Sequence, residues 1–208
     1  MRRIVLAMMT TLNGRLDDPF AWMNGVDDDH YRDIRDAYKR FDTILVGRLT
    51  FEEMAVYWPG AETAAGGSET NRSMARMMNS YRKFVFTTDP ALKTWRWSNA
   101  VPVPACDDRA IVSFVEHLKA QPGRDIHLAG GARLAQTFVR LGLVDEFRLS
   151  TYPVVSQGAK WFDAVTDTRK LTLLRIRWYG NGVTRTDYAP AGAASTAARP
   201  QTFTEMLP

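Results

Sequence analysis

Val46-Gly47-Arg48-Leu49-Thr50-Phe51-Glu52 joins a short apolar run, Thr43-Ile44-Leu45-Val46, to what reads as the start of a helix. A glycine at a strand end lets another group approach the backbone closely. Thr50-Phe51-Glu52-Glu53 has the form of a capping box, so the spacing predicts a helix beginning at Thr50. Its free N–H groups and positive dipole end suit a phosphate, and Arg48 could meet one bidentately. The same residues also read as a capped helix with a surface arginine. A second junction, Leu128-Ala129-Gly130-Gly131-Ala132-Arg133-Leu134, repeats the pattern of strand, glycine, helix start and nearby arginine. Close packing at a tight turn would use the same glycine pair. In open α/β sheets ligands collect at the carboxyl ends of strands, so both junctions can line one crevice.

Around these junctions strands and helices alternate. Residues 4–11 form an apolar run of strand length. Tyr31, Ile34, Ala37, Tyr38 and Phe41 recur at three- and four-residue spacing and predict a helix over 27–41. Residues 59–68, rich in Pro, Gly and Ala, read as loop, and 69–80 as a helix with Met74, Met77 and Met78 on one side. Residues 84–87 are a strand, and Val101-Pro102-Val103 a short one held to an edge by its prolines. Asp107 can cap a helix with Ile111, Val112, Phe114, Val115 and Leu118 on its apolar face, ended by Gly123. Residues 126–129 are a buried strand, and the helix after Gly131 is capped by Gly142. Residues 146–155 read as a strand. Gly180-Asn181-Gly182 joins two more, 171–179 and 183–188, into a hairpin. Helices between strands imply parallel neighbours. The expected fold is a three-layer α/β/α domain over residues 1–189, with a mixed, mostly parallel sheet and a C-terminal antiparallel hairpin. Residues 190–208 read as a tail.

The 208 residues are 45% hydrophobic and 24% charged, as in one ordinary globular domain large enough to need no metal or disulfide. The single cysteine, Cys106, cannot form an internal disulfide, which points to a reducing, cytoplasmic setting. No apolar run has membrane-spanning length. Met1-Arg2-Arg3 followed by Ile4-Val5-Leu6 has the outline of a signal peptide, but no small-residue cleavage site follows, so it is read as a buried first strand. The net charge of +4 comes from scattered arginines rather than a basic patch, which argues against a nucleic-acid partner. His30, His117 and His127 lack metal spacing. There is no G-x-S-x-G or Walker A motif, and none of the H-x-E and P-C-x-x-C deaminase pattern.

Taken together, the junctions resemble the dihydrofolate reductase superfamily. Gly47-Arg48-Leu49-Thr50-Phe51-Glu52 is similar to its G-R-x-T-[WFY]-E signature, and Gly130-Gly131-Ala132-Arg133-Leu134 to its G-G-x-[RK]-hydrophobic signature. Thr11-Leu12-Asn13-Gly14-Arg15-Leu16 resembles the S-L-D-G-[KR]-[IL] segment, and Gly142-Leu143-Val144-Asp145-Glu146-Phe147 the G-L-[VI]-D-E-[LF] stretch. Pro153-Val154-Val155, Gly158 and Trp161-Phe162 resemble P-V-x-L-G-x-G-x-x-[LF]-F, with Ser156-Gln157 replacing Leu-Gly. The five segments run in order over residues 3–189 and look closest to the bacterial group that includes the riboflavin-pathway reductase C-terminal domain.

The resemblance implies an NADPH-dependent reductase. Gly47, Arg48 and Thr50 would hold phosphates, including the 2′-phosphate, with Thr87 and Thr88 near the adenine ribose. Gly130 and Gly131 would approach the pyrophosphate and nicotinamide, and Arg133 and Leu134 would flank the adenosine. Trp22 and Phe51 are expected at a planar heterocyclic substrate of pteridine or ribosylaminopyrimidine type. Asp27, following Trp22, resembles the catalytic acid of folate reductases, although Asp27-Asp28-Asp29 is also an ordinary acidic first turn. Residues 14–26 are expected to close over the site, and a homodimer is implied. Another reading is a non-catalytic NADP(H)-binding or sensing protein on the same fold.

Overall fold

The computed structural model describes residues 1–23, 28–89, 97–104, 107–163 and 165–192. Its strands are β1 (Ile4–Thr11), β2 (Phe41–Gly47), β3 (Arg82–Thr87), β4 (Ala100–Pro104), β5 (Asp125–Gly130), β6 (Glu146–Tyr152), β7 (Leu171–Trp178) and β8 (Thr184–Pro190). Its helices are α1 (Pro19–Trp22), α2 (Asp28–Tyr38), α3 (Arg48–Ala61), α4 (Glu69–Ser80), α5 (Asp108–Ala120) and α6 (Ala132–Arg140). They build one sheet in the order β4-β3-β2-β5-β1-β6-β8-β7. Every pair from β4 through β6 is parallel, and β8 and β7 add antiparallel strands. This is the expected mixed, mostly parallel sheet with its C-terminal antiparallel hairpin.

Strands flanked by helices on both faces should be apolar without alternation. β1 meets this: Ile4, Val5 and Leu6 are all fully buried. Ile4 and Leu6 face α5 and α6 in a core with Phe84, Phe86, Ile126, Leu128, Val115 and Phe138. Val5 faces the other layer, with Ile44, Val46 and Val85 under Phe51 of α3 and Met74 and Met78 of α4. Ser68 caps α4 by accepting from the Asn71 amide, and Asp107 caps α5 by accepting from the Ala110 amide at 2.7 Å. α6 ends in a Schellman motif. Gly142, at φ +70°, donates to the Val139 carbonyl, and Leu143 donates to that of Phe138.

Several local expectations change. The helix expected over 27–41 stops at Tyr38, and Phe41 opens β2, because its ring is needed in the core beside His127. Thr50 is not a cap: α3 starts at Arg48 with Gly47 as its N-cap, in extended conformation, which places Thr50 inside the first turn. α3 also runs through Pro59 to Ala61, shortening the loop expected over 59–68. The proline forfeits only one late bond, to the Ala55 carbonyl. β6 ends at Tyr152 rather than at residue 155. α5 ends at Ala120, before Gly123. The tail expected from residue 190 lies, from 193 on, outside the described residues.

Candidate functional site

β2 and β5 are neighbours with Leu45 opposite Leu128 and Val46 opposite Gly130, so the two glycine junctions end side by side. A β-carbon on Gly47 would lie 3.8 Å from both the Gly130 oxygen and the Gly131 nitrogen, and one on Gly131 would lie 2.8 Å from the Thr50 hydroxyl oxygen. The starts of α3 and α6 therefore meet across bare backbone. Gly47 and Gly131 are their N-caps and neither makes a side-chain cap hydrogen bond, so no N-cap side chain occupies the first-turn amides of either helix. Gly130 adopts φ +88°, a region that favours glycine, and its peptide with Gly131 is cis.

Arginines flank this meeting point. Arg48 is the first residue of α3 and donates from Nη1 to Glu52 Oε1 at 3.0 Å, with both side chains nearly half exposed. Arg133, in the first turn of α6, is exposed and makes no ion pair among the described residues. Leu134 is buried in the core. At the end of β3, Thr87 is buried and its hydroxyl accepts from the Asp89 amide at 3.0 Å, while Thr88 is exposed.

Next to the glycines the sheet is partly uncovered. Val5 is fully buried, yet Met9, on the same face of the same central strand, is only half-buried, as is Ala129 on β5. Met9 and Ala129 are thus less covered apolar positions towards the carboxyl ends of these two neighbouring strands.

Trp161, which appeared only within a loop motif, closes the underside of the glycine turn. Its Nε1 donates to the Met9 carbonyl at 3.1 Å, and a β-carbon on Gly130 would lie 3.1 Å from its ring. On the far side of Met9, His30 of α2 is fully buried with Nε2 3.1 Å from Ser150 Oγ of β6 and its ring 4.4 Å from that of Tyr179. Burial pushes the Tyr152 phenol up to about 12. One turn along α2, Asp33 accepts from Arg177 (2.7 Å), Tyr179 (2.6 Å) and Arg185 (2.5 Å), which ties α2 to the terminal hairpin. His30 and Asp33 gave no sequence signal, because their partners lie more than a hundred residues away.

The expected substrate contacts Trp22 and Phe51 are both packed away from solvent. Trp22 is 3% exposed, edge-on to Tyr152 and donating to the Asp17 carbonyl at 2.8 Å; Phe51 is 4% exposed and stacked on Trp97. Asp27 lies outside the described residues. The first part of the expected closing loop is pinned rather than loose. Leu12 donates to Val154 and Leu16 to Ala159, Trp161 donates to Gly14, and Arg15 reaches Ser156 Oγ at 2.6 Å. These bonds fasten residues 12–16 to the segment after β6.

A family model described as the RibD C-terminal domain matches residues 2–185. This chain belongs to that family. Among its relatives, the uncharacterized protein YyaP of Bacillus subtilis is 34% identical over 190 residues, which cover 90% of this chain and 94% of that protein. A putative riboflavin biosynthesis protein from a Shewanella species superposes with a TM-score of 0.66 at 18% identity, covering 91% of this chain and 99% of the other. Dihydrofolate reductase from Enterococcus faecalis, solved as a complex with NADP(H), superposes with a TM-score of 0.58 at 10% identity, covering 91% and 96%. The RibD C-terminal domain assignment and this fold together mark the chain as reductase-like. No helix among the described residues is long and apolar enough to cross a membrane.

Proposed function

We propose that this RibD C-terminal domain protein is an NADPH-dependent reductase that transfers a hydride to a planar heterocycle of the pteridine or ribosylaminopyrimidine class. The reading also places it in the cytoplasm, as a homodimer. The observation that carries the proposal is the meeting of two uncapped helix starts across Gly47, Gly130 and Gly131. A cradle in which a β-carbon on Gly130 or Gly131 would crowd Trp161 or Thr50, with two arginines beside it, fits a dinucleotide with negatively charged phosphates.

When bound, NADPH supplies the hydride. In this reading the α3 and α6 amides hold the pyrophosphate, Arg48 meets the 2′-phosphate with Thr87 and Thr88 beside it, and Arg133 and Leu134 flank the adenosine. Trp161 supports the turn from below. Met9 and Ala129 form an apolar floor that keeps water from the reacting face. A C=N bond takes the hydride on carbon and a proton on nitrogen, and Asp27 is the proposed source of that proton. Trp22, through Tyr152, braces the substrate end rather than stacking on the ring. The homodimer is supported by β7, an edge strand that leaves Leu171, Ile176 and Trp178 exposed.

The test is a titration of the purified chain with NADPH and NADH, followed by tryptophan fluorescence, then turnover with dihydropterins and ribosylaminopyrimidines. NADPH binding at least about tenfold tighter than NADH, with turnover, is the expected result. Binding without turnover of either class would favour a sensing role, and no binding would overturn the reading.

A further inference from the structure

Arg48 directly follows Gly47, the last residue of β2, and it already has a partner. Its Nη1 is 3.0 Å from Glu52 Oε1, one helical turn on, and the two side chains are 43% and 44% exposed. Such a pair is weak and can be displaced. Its consequence depends on what arrives. A ribose 2′-phosphate would have to share Arg48 with the carboxylate, or displace it and stay close to its negative charge. A ribose 2′-hydroxyl carries no charge and can itself donate to a carboxylate, as ribose hydroxyls do in other dinucleotide sites. Register adds a second carboxylate at this end of the sheet: Gly47 lies opposite Phe86, so Thr87-Thr88-Asp89 continues beside Gly47-Arg48. The other arginine, Arg133, stands across β2 on the β5 side.

We propose that Glu52 is a specificity-determining residue of the coenzyme site, which by holding Arg48 narrows the preference for NADPH over NADH. The proposal rests on the reductase reading above and concerns only how tightly the 2′-phosphate is gripped.

The experiment compares the wild-type chain with Glu52→Gln and with Glu53→Gln, a neighbouring exposed acid that makes no ion pair among the described residues. Each is titrated by fluorescence with NADPH, NADH and adenosine 2′,5′-bisphosphate. Glu52→Gln is expected to tighten NADPH and the bisphosphate by roughly two- to fivefold, with NADH unchanged or weaker. Glu53→Gln should alter the NADPH-to-NADH ratio by less than about twofold. In an Arg48→Ala background, Glu52→Gln should no longer raise that ratio. If wild type binds coenzyme but Glu52→Gln moves NADPH and NADH by the same factor, or moves neither, the role of Glu52 is overturned and the reductase reading stands. If none of the three proteins binds coenzyme, the reductase reading falls and this proposal falls with it.

Discussion

Thr50 and Gly131 face each other across the two helix starts so closely that a β-carbon on the glycine would lie 2.8 Å from the threonine hydroxyl oxygen. Something must shift if that carbon is added, and the parts free to shift are the first turns that form the cradle. Gly131→Ala is therefore expected to weaken NADPH binding about tenfold while leaving the fold intact. Thr50→Ala in the same chain should recover part of the loss, because it removes the clashing oxygen. A double-mutant cycle reads this directly: strictly additive losses would show that the contact does not shape the site.

Trp161 supports the same turn through its ring and fixes β1 through its Nε1. Trp161→Ala should cost roughly 3–5 kcal/mol of stability in urea unfolding, as expected for emptying a buried aromatic position. Trp161→Phe keeps most of the ring but loses the bond to the Met9 carbonyl, so about 1 kcal/mol is expected. Equal losses for the two variants would mean that the indole nitrogen, not the ring, does the supporting.

His127 is 2% exposed between Tyr38 and Phe41, and burial lowers its pKa from 6.5 to about 4. Between those values the unfolded chain binds a proton that the folded chain refuses, so stability rises with pH across that window. It is lost as pH falls from 6.5 toward 4, by about 3 kcal/mol in all. Denaturant midpoints measured across this range should fall less steeply for His127→Phe than for wild type. Parallel curves would show that other groups carry the acid sensitivity.

The exposed β7 edge gives the dimer expectation a handle. Sedimentation should return twice the chain mass for the wild type, and Trp178→Glu, which alters a side chain that is 68% exposed, should shift it toward the monomer without unfolding it. A wild-type monomer would refute the homodimer.

Where a signal depends on residues a few positions apart, sequence reading was enough. The apolar runs of β1, β2 and β5, the Asp107 cap, the Gly142 stop and the terminal hairpin all stand where expected. Errors arose where a local signal competed with tertiary demand. Thr50 has the chemistry of an N-cap, but Gly47 already ends the strand in extended geometry, so α3 begins two residues earlier and the hydroxyl turns to Gly131. Phe41 continues a helical spacing, yet the core beside His127 claims it for β2. The burial of Trp22 and Phe51 is a separate matter: sequence proximity does not report which way a ring points, and the tertiary structure packs both inward.

By itself the sequence determined the kinds and order of the elements, the two glycine junctions and the family they resemble, because hydrophobic period, capping and backbone freedom act over a turn or a strand. Tertiary structure alone decided which junctions touch and what surrounds them. Gly47 meets Gly130 because β2 lies beside β5. Trp161 reaches Met9 across 152 positions, and His30 reaches Ser150 across 120. Those meetings follow from the order β2-β5-β1-β6 in the sheet. Strand order is a choice among ways of burying the same apolar faces, and no local pattern carries it.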